Sequence, residues 1–149
     1  MKPTIYALIA ATSFSVLGGA SAFAQQGYKL TPVLTYKNVS HDPEGLWDDS
    51  DLQTFGAPPR LPSIYIARIT TPRGEWILSQ LDSACTMQGD CQFVLALKKP
   101  GGEARIVASG NGLLGHPVTL SLNYAKIFTE EINDSVQPFT GSYDVKDAR

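Results

Sequence analysis

Four groups of residues in this 149-residue chain have types and spacings that invite a chemical reading. Gly110-Asn111-Gly112-Leu113-Leu114-Gly115 matches the G-x-G-x-x-G pattern that lets a backbone approach a pyrophosphate. That pattern works only when a helix follows at once, because the helix N-terminus holds the phosphates. Here His116-Pro117 leads into another strand-like run, so a glycine-rich connection between strands is the better reading. Asp49-Ser50-Asp51 resembles the start of a calcium loop. The EF-hand needs Gly at its sixth position and Glu at its twelfth, where this chain has Thr54 and Arg60. His41 and His116 are the only imidazoles and Cys85 and Cys91 the only thiols. Zinc wants three or four ligands with His or Cys at close spacing, so no metal is expected. No G-x-S-x-G element is present to activate a serine. Acids are plentiful, but no spacing singles out a catalytic pair. A small hydrolase is therefore the least favoured function, with no catalytic residue and no cofactor expected.

Cys85 and Cys91 bracket Thr86-Met87-Gln88-Gly89-Asp90. Two close cysteines in an exported chain most simply form a disulfide. The spacing is not the C-x-x-C of a thioredoxin-type redox motif. Closing so short a ring stabilises by about 2 kcal/mol in the loop-entropy picture. Gly89 and Asp90 suit a turn within it. Thr86, Met87 and Gln88 would form its tip, a rigid loop that could meet a partner.

Export is expected from the first 24 residues. Lys2 gives a positive start, Ile5 to Leu17 is apolar, and Ala22-Phe23-Ala24 is a small-x-small cleavage pattern. The apolar run is short for a bilayer span. Residues 1–24 therefore read as a signal peptide, the mature chain begins at Gln25, and the Ala-rich signal points to the periplasm. With 12 Lys+Arg against 14 Asp+Glu, a formal charge of −2, the chain has neither a nucleic-acid-binding surface nor a polybasic membrane patch. Nothing later in the sequence approaches membrane-spanning length. The size suits one core and not two domains.

The mature sequence reads as mainly β: a single antiparallel sheet or small sandwich with at most one short helix. Residues 25–62 make an N-terminal strand and a Pro-rich irregular arm, 63–145 a β-rich domain, and 146–149 a tail. Tyr28 to Tyr36 is strand-like, with Pro32 marking an edge or a bend. Asn38 to Pro62 has no periodicity but carries Leu46, Trp47, Leu52, Phe55 and Leu61. It is either a loop tucked onto its own core or an arm lying on another protein. On the second reading Trp47 and Phe55 are the best contact anchors. From Ser63 strands recur at short intervals with turns at Thr71-Pro72-Arg73-Gly74 and Lys99-Pro100-Gly101-Gly102. Phe93, Leu95 and Leu97 alternate well. Tyr124, Ile127, Phe128 and Ile132 fit one face of a short helix closed by Gln137-Pro138, with a continued strand through Phe128 as the alternative. Phe139 to Val145 reads as a last strand.

Two family resemblances arise in the middle of the chain. Trp76-Ile77-Leu78-Ser79, Ser83-Ala84-Cys85, Asp90-Cys91 and the strand Phe93 to Leu97 together resemble the Ivy-type lysozyme inhibitors. Those are periplasmic proteins that insert a disulfide-closed loop into the lysozyme cleft. The loop here lacks that family's His beside the Asp and is one residue longer. The wider stretch, Pro62-Ser63-Ile64-Tyr65-Ile66-Ala67-Arg68 through Thr71-Pro72-Arg73-Gly74-Glu75-Trp76 to Cys91, is similar to the small third subunit of quinoprotein alcohol dehydrogenases of acetic-acid bacteria. That subunit has no cofactor and accompanies a catalytic quinoprotein and a cytochrome c. The resemblance implies a non-catalytic accessory subunit bound to a larger periplasmic or membrane-associated protein. The first resemblance implies instead an inhibitor presenting the loop 85–91.

Overall fold

A computed structural model describes residues 26–146; the expected signal 1–24 and all but the first residue of the expected tail lie outside the described residues. The strands are β1 (Gly27–Leu30), β2 (Val33–Tyr36), β3 (Ile64–Thr71), β4 (Gly74–Cys85), β5 (Asp90–Lys98), β6 (Ala104–Leu113), β7 (Val118–Ser121), β8 (Lys126–Ile132) and β9 (Pro138–Asp144). They form two sheets, β1-β7-β8-β9 and β2-β3-β4-β5-β6, and every pairing is antiparallel. The fold is a β-sandwich. Pro32 falls where the chain leaves one sheet for the other, so Tyr28 to Tyr36 is two strands in different sheets. No helix among the described residues is long and apolar enough to cross a membrane.

Strand β4 shows why the two faces of the larger sheet need different covers. Trp76 and Leu78 lie opposite Leu97 and Leu95 and face the smaller sheet, where they pack with Leu30, Phe93, Val118, Leu120 and Ile127. Ile77 and Leu81 face the other way and pack with Ile64, Ile66, Val94 and Ala96. A strand buried on both faces reads as a near-continuous apolar run without clean alternation.

The second face is covered by the arm. Leu46, Trp47 and Leu52 are buried against it, each worth roughly 2 kcal/mol of apolar burial. The buried carboxylate of Asp42 accepts hydrogen bonds from the backbone N–H groups of Glu44 (2.9 Å), Leu46 (2.8 Å) and Trp47 (3.1 Å). That organises a segment with no ladder of its own. Trp47 Nε1 donates to Ser79 Oγ at 2.8 Å, which satisfies the fully buried hydroxyl on this face of β4. Glu44 accepts from Arg68 at 2.5 Å and from the Tyr36 hydroxyl at 2.7 Å. The Arg68 guanidinium and the Tyr36 hydroxyl hold the Glu44 carboxyl below its usual range against the opposing effect of burial. The arm is therefore part of this chain's own core.

Residues 124–132 depart from the short helix expected of them. They form no helix: Tyr124 sits in a turn at φ 60° and β8 follows. Ile127, Thr129 and Glu131 are its inward-facing buried set, while Phe128 and Ile132 are only half-buried. The inward period of two was hidden because two of its three members are polar, and the apolar residues that remained happened to fall at helical spacing.

Candidate docking face

The ring Cys85–Cys91 closes with an S–S distance of 2.01 Å at the end of the β4–β5 hairpin, where the two cysteines are cross-strand partners. Inside it, Thr86 N–H donates to the Asp90 carbonyl (2.8 Å), Asp90 N–H to Thr86 Oγ1 (3.2 Å) and Gly89 N–H to the Thr86 carbonyl (3.1 Å). Gly89 has φ 94°, a conformation that favours glycine. The tip that results holds Thr86 exposed, Met87 completely exposed and Gln88 half-buried.

The base of the ring is bolted to the other sheet. Both carboxylate oxygens of buried Asp90 accept from the Ile132 N–H, at 3.1 and 3.2 Å. Next along β8, Glu131 Oε1 accepts from Thr129 Oγ1 (2.8 Å) and from the Tyr143 hydroxyl (2.6 Å). Burial, then that hydrogen bond to Glu131, push the Tyr143 phenol up to about 12. Fully buried Gln80 donates to the Gly112 carbonyl (3.3 Å) and accepts from the Gly115 N–H (3.0 Å). Leu114 N–H reaches the Gly89 carbonyl at 3.4 Å. The ring, the 113–117 turn and the 133–137 turn thus form one end of the sandwich.

This arrangement explains the G-x-G-x-x-G stretch. A side chain at Gly110 would start 2.5 Å from the Tyr143 ring, and one at Gly112 would start 3.2 Å from Thr129 Cβ. The glycines let the second sheet come close, and they hold no phosphate loop.

The buried acids here, Asp90 and Glu131, are committed to hydrogen bonds within the fold, and every buried side-chain nitrogen or oxygen among the described residues has a partner. The 310 Å³ cleft beside Leu97, Lys99 and Arg105 lies at the opposite end of the sandwich. So does the 430 Å³ cleft beside Glu44, Arg68, Lys98 and Glu103. Each histidine meets an exposed carboxylate, His41 with Asp49 at 2.9 Å and His116 with Glu130 at 3.2 Å. Among the described residues no three His, Cys, Asp or Glu side chains are placed to share a metal ion. What this end presents is a surface. Met87 stands at its tip, and the 133–137 turn and the start of β9 carry two further exposed apolar side chains, Val136 (73% exposed) and Phe139 (45% exposed).

The sequence had offered Trp47 and Phe55 as contact anchors, and the structure turns both toward the protein. Trp47 is 7% exposed and in the core. Phe55 is half-buried, with the Arg60 guanidinium 4.2 Å above its ring. Arg60 is itself fixed to Asp82 at 2.8 Å. Thr86, Met87 and Gln88 remain together at the ring tip. Val136 and Phe139 were hidden because a single apolar residue in the polar run 133–137 and the first aromatic of a strand both look unremarkable in sequence. Comparison with protein-family models, with curated proteins and with solved structures finds no match to this chain.

Proposed function

We propose that this chain is a non-catalytic binding protein that works outside the cytosol and contacts a larger protein through the ring end. The reading rests most on Met87, a large apolar side chain held out completely exposed on a loop clamped by a disulfide at its base and by Asp90 behind. Exposing such a side chain gains nothing for folding, and methionine is an adaptable contact residue at protein-binding surfaces. The disulfide and the expected signal both support an exported protein, here placed in the periplasm.

Within that reading the first assignment is an accessory subunit of a periplasmic enzyme complex, taken from the resemblance over residues 62–91 to be a quinoprotein alcohol dehydrogenase. The full mature chain should then co-purify in fixed ratio with a larger protein carrying quinone-dependent alcohol oxidation, and Met87→Asp should release it. Recovery of the chain alone from its native extract, or turnover of a substrate by the chain alone, overturns the proposal. The second assignment, a lysozyme inhibitor, is favoured by the projection of Thr86 to Gln88 beyond the sheet. It requires that the added chain slow lysis of a cell-wall suspension, with substitutions in 86–90 removing the effect.

A further inference from the structure

Charge is segregated along the sandwich. The segments that build the ring end, 85–91, 111–117 and 130–139, hold four acids, Asp90, Glu130, Glu131 and Asp134, and no Lys or Arg. The opposite end gathers the 72–73, 99–103 and 122–125 turns with the end of β9. Gly74 lies against the Lys98 carbonyl there, and Arg73 lies over Tyr124 at 4.7 Å. That end carries Arg73, Lys98, Lys99, Arg105, Lys126 and Lys146 against Glu75, Glu103 and Asp144.

The two kinds of acid at the ring end act differently. Asp90 and Glu131 are buried: Asp90 ties β5 to β8 across the two sheets, and Glu131 bonds Thr129 and Tyr143 within the smaller sheet. Glu130 and Asp134 are exposed, with His116 Nδ1 3.2 Å from the Glu130 carboxylate. Between them stand the apolar tips. Val136 adopts φ 57°, a conformation that β-branched residues avoid. Its turn is braced by Asn133, whose side-chain oxygen accepts from the N–H groups of Ser135 (3.0 Å) and Gln137 (2.9 Å) and whose carbonyl accepts from Val136 N–H (2.8 Å). Met87 is unbranched and polarizable, so it fills an irregular recess readily.

Resting on the binding-protein reading above, we infer that the three turns of the ring end act as one docking face and that its partner is a cationic protein surface with an apolar recess. An apolar tip rimmed by acids is matched by a recess rimmed by Lys and Arg. Acidic surfaces are disfavoured by like-charge contact at such a rim, so the charge selects the partner and speeds the encounter. Nucleic acid and anionic membrane are both repelled by this end.

The test uses the full chain in cells of its source organism, with p-benzoylphenylalanine replacing Met87, Val136 or, as the control at the opposite end, exposed Glu103. The expected result is cross-linking from 87 and 136, and none from 103, into a Lys/Arg-rich segment of one larger protein. With that partner purified, Glu130→Lys combined with Asp134→Lys should slow association at least tenfold at low salt. The gap should close at high salt. If positions 87 and 136 reach a neutral or acidic segment, or if the charge reversal changes nothing, the cationic partner is refuted while the binding-protein reading stands. Cross-linking to a second copy of this chain replaces the partner by a head-to-tail assembly and also refutes it. No cross-link from 87 or 136 removes both readings.

Discussion

The arm and the disulfide ring both carry large apolar residues outside the regular strand pattern, and the fold treats them in opposite ways. The arm turns Trp47 into the core and gives its indole N–H to Ser79. The ring turns Met87 fully outward. The arm is long enough to lie across a whole sheet face, and that face of β4 offers Ile77 and Leu81. A ring closed between Cys85 and Cys91 has no interior of its own and ends the β4–β5 hairpin. An aperiodic apolar residue therefore says little about direction until the cover of every sheet face has been accounted for.

Trp47→Ala should have the largest effect on stability. It removes a buried ring from the arm–sheet interface and orphans Ser79, so a loss of about 3–5 kcal/mol is expected by urea unfolding. A loss within about 0.5 kcal/mol, the range of surface substitutions, would mean the arm is not core. Replacing both cysteines by alanine should cost about 2 kcal/mol and leave the arm folded, as judged by slow hydrogen exchange of the Leu46 and Trp47 amides bonded to Asp42. Glu44→Gln sharpens the contrast through pH. The carboxyl of Glu44 is lowered in the folded chain, so its contribution is present above the unfolded value and is lost as pH falls through the folded one. The wild type should lose more stability than the variant on going from pH 7 to pH 3. The difference should stay near or below about 1 kcal/mol, because Arg68 is partly exposed. At the ring end the sign is reversed. Tyr143 is pushed up to about 12, so the neutral phenol is favoured by folding. Its contribution is intact below pH 10 and declines as pH rises toward 12, and Tyr143→Phe should flatten that decline. The smallest effect is expected for Met87→Ala, within about 0.5 kcal/mol in stability, though it should abolish partner binding.

Much of the sandwich was legible. Phe93, Leu95 and Leu97 announce one buried face at period two, and Thr71-Pro72-Arg73-Gly74 and Lys99-Pro100-Gly101-Gly102 give the two hairpin turns. Strand β8 was not, because its inward positions Thr129 and Glu131 are polar, and their partner is a tyrosine from β9 rather than an apolar neighbour. The disulfide pairing followed from there being only two cysteines. The ring end as a face was not legible, because the 113–117 and 133–137 turns meet the ring, through Leu114 to Gly89 and Ile132 to Asp90, only once the sheets are stacked. The charge asymmetry lay open in the sequence, but it acquires meaning only when the turns are assigned to ends.

Hydrogen exchange of the full mature chain, free and bound to its partner, tests most directly that the arm serves the fold and the ring end serves the partner. The Leu46 and Trp47 amides bonded to Asp42 should be slow in the free chain and unchanged on binding, with new protection confined to 86–90, 113–117 and 133–137. Fast exchange across 38–62 in the free chain that slows only in the complex, with the three turns unaffected, would contradict the account.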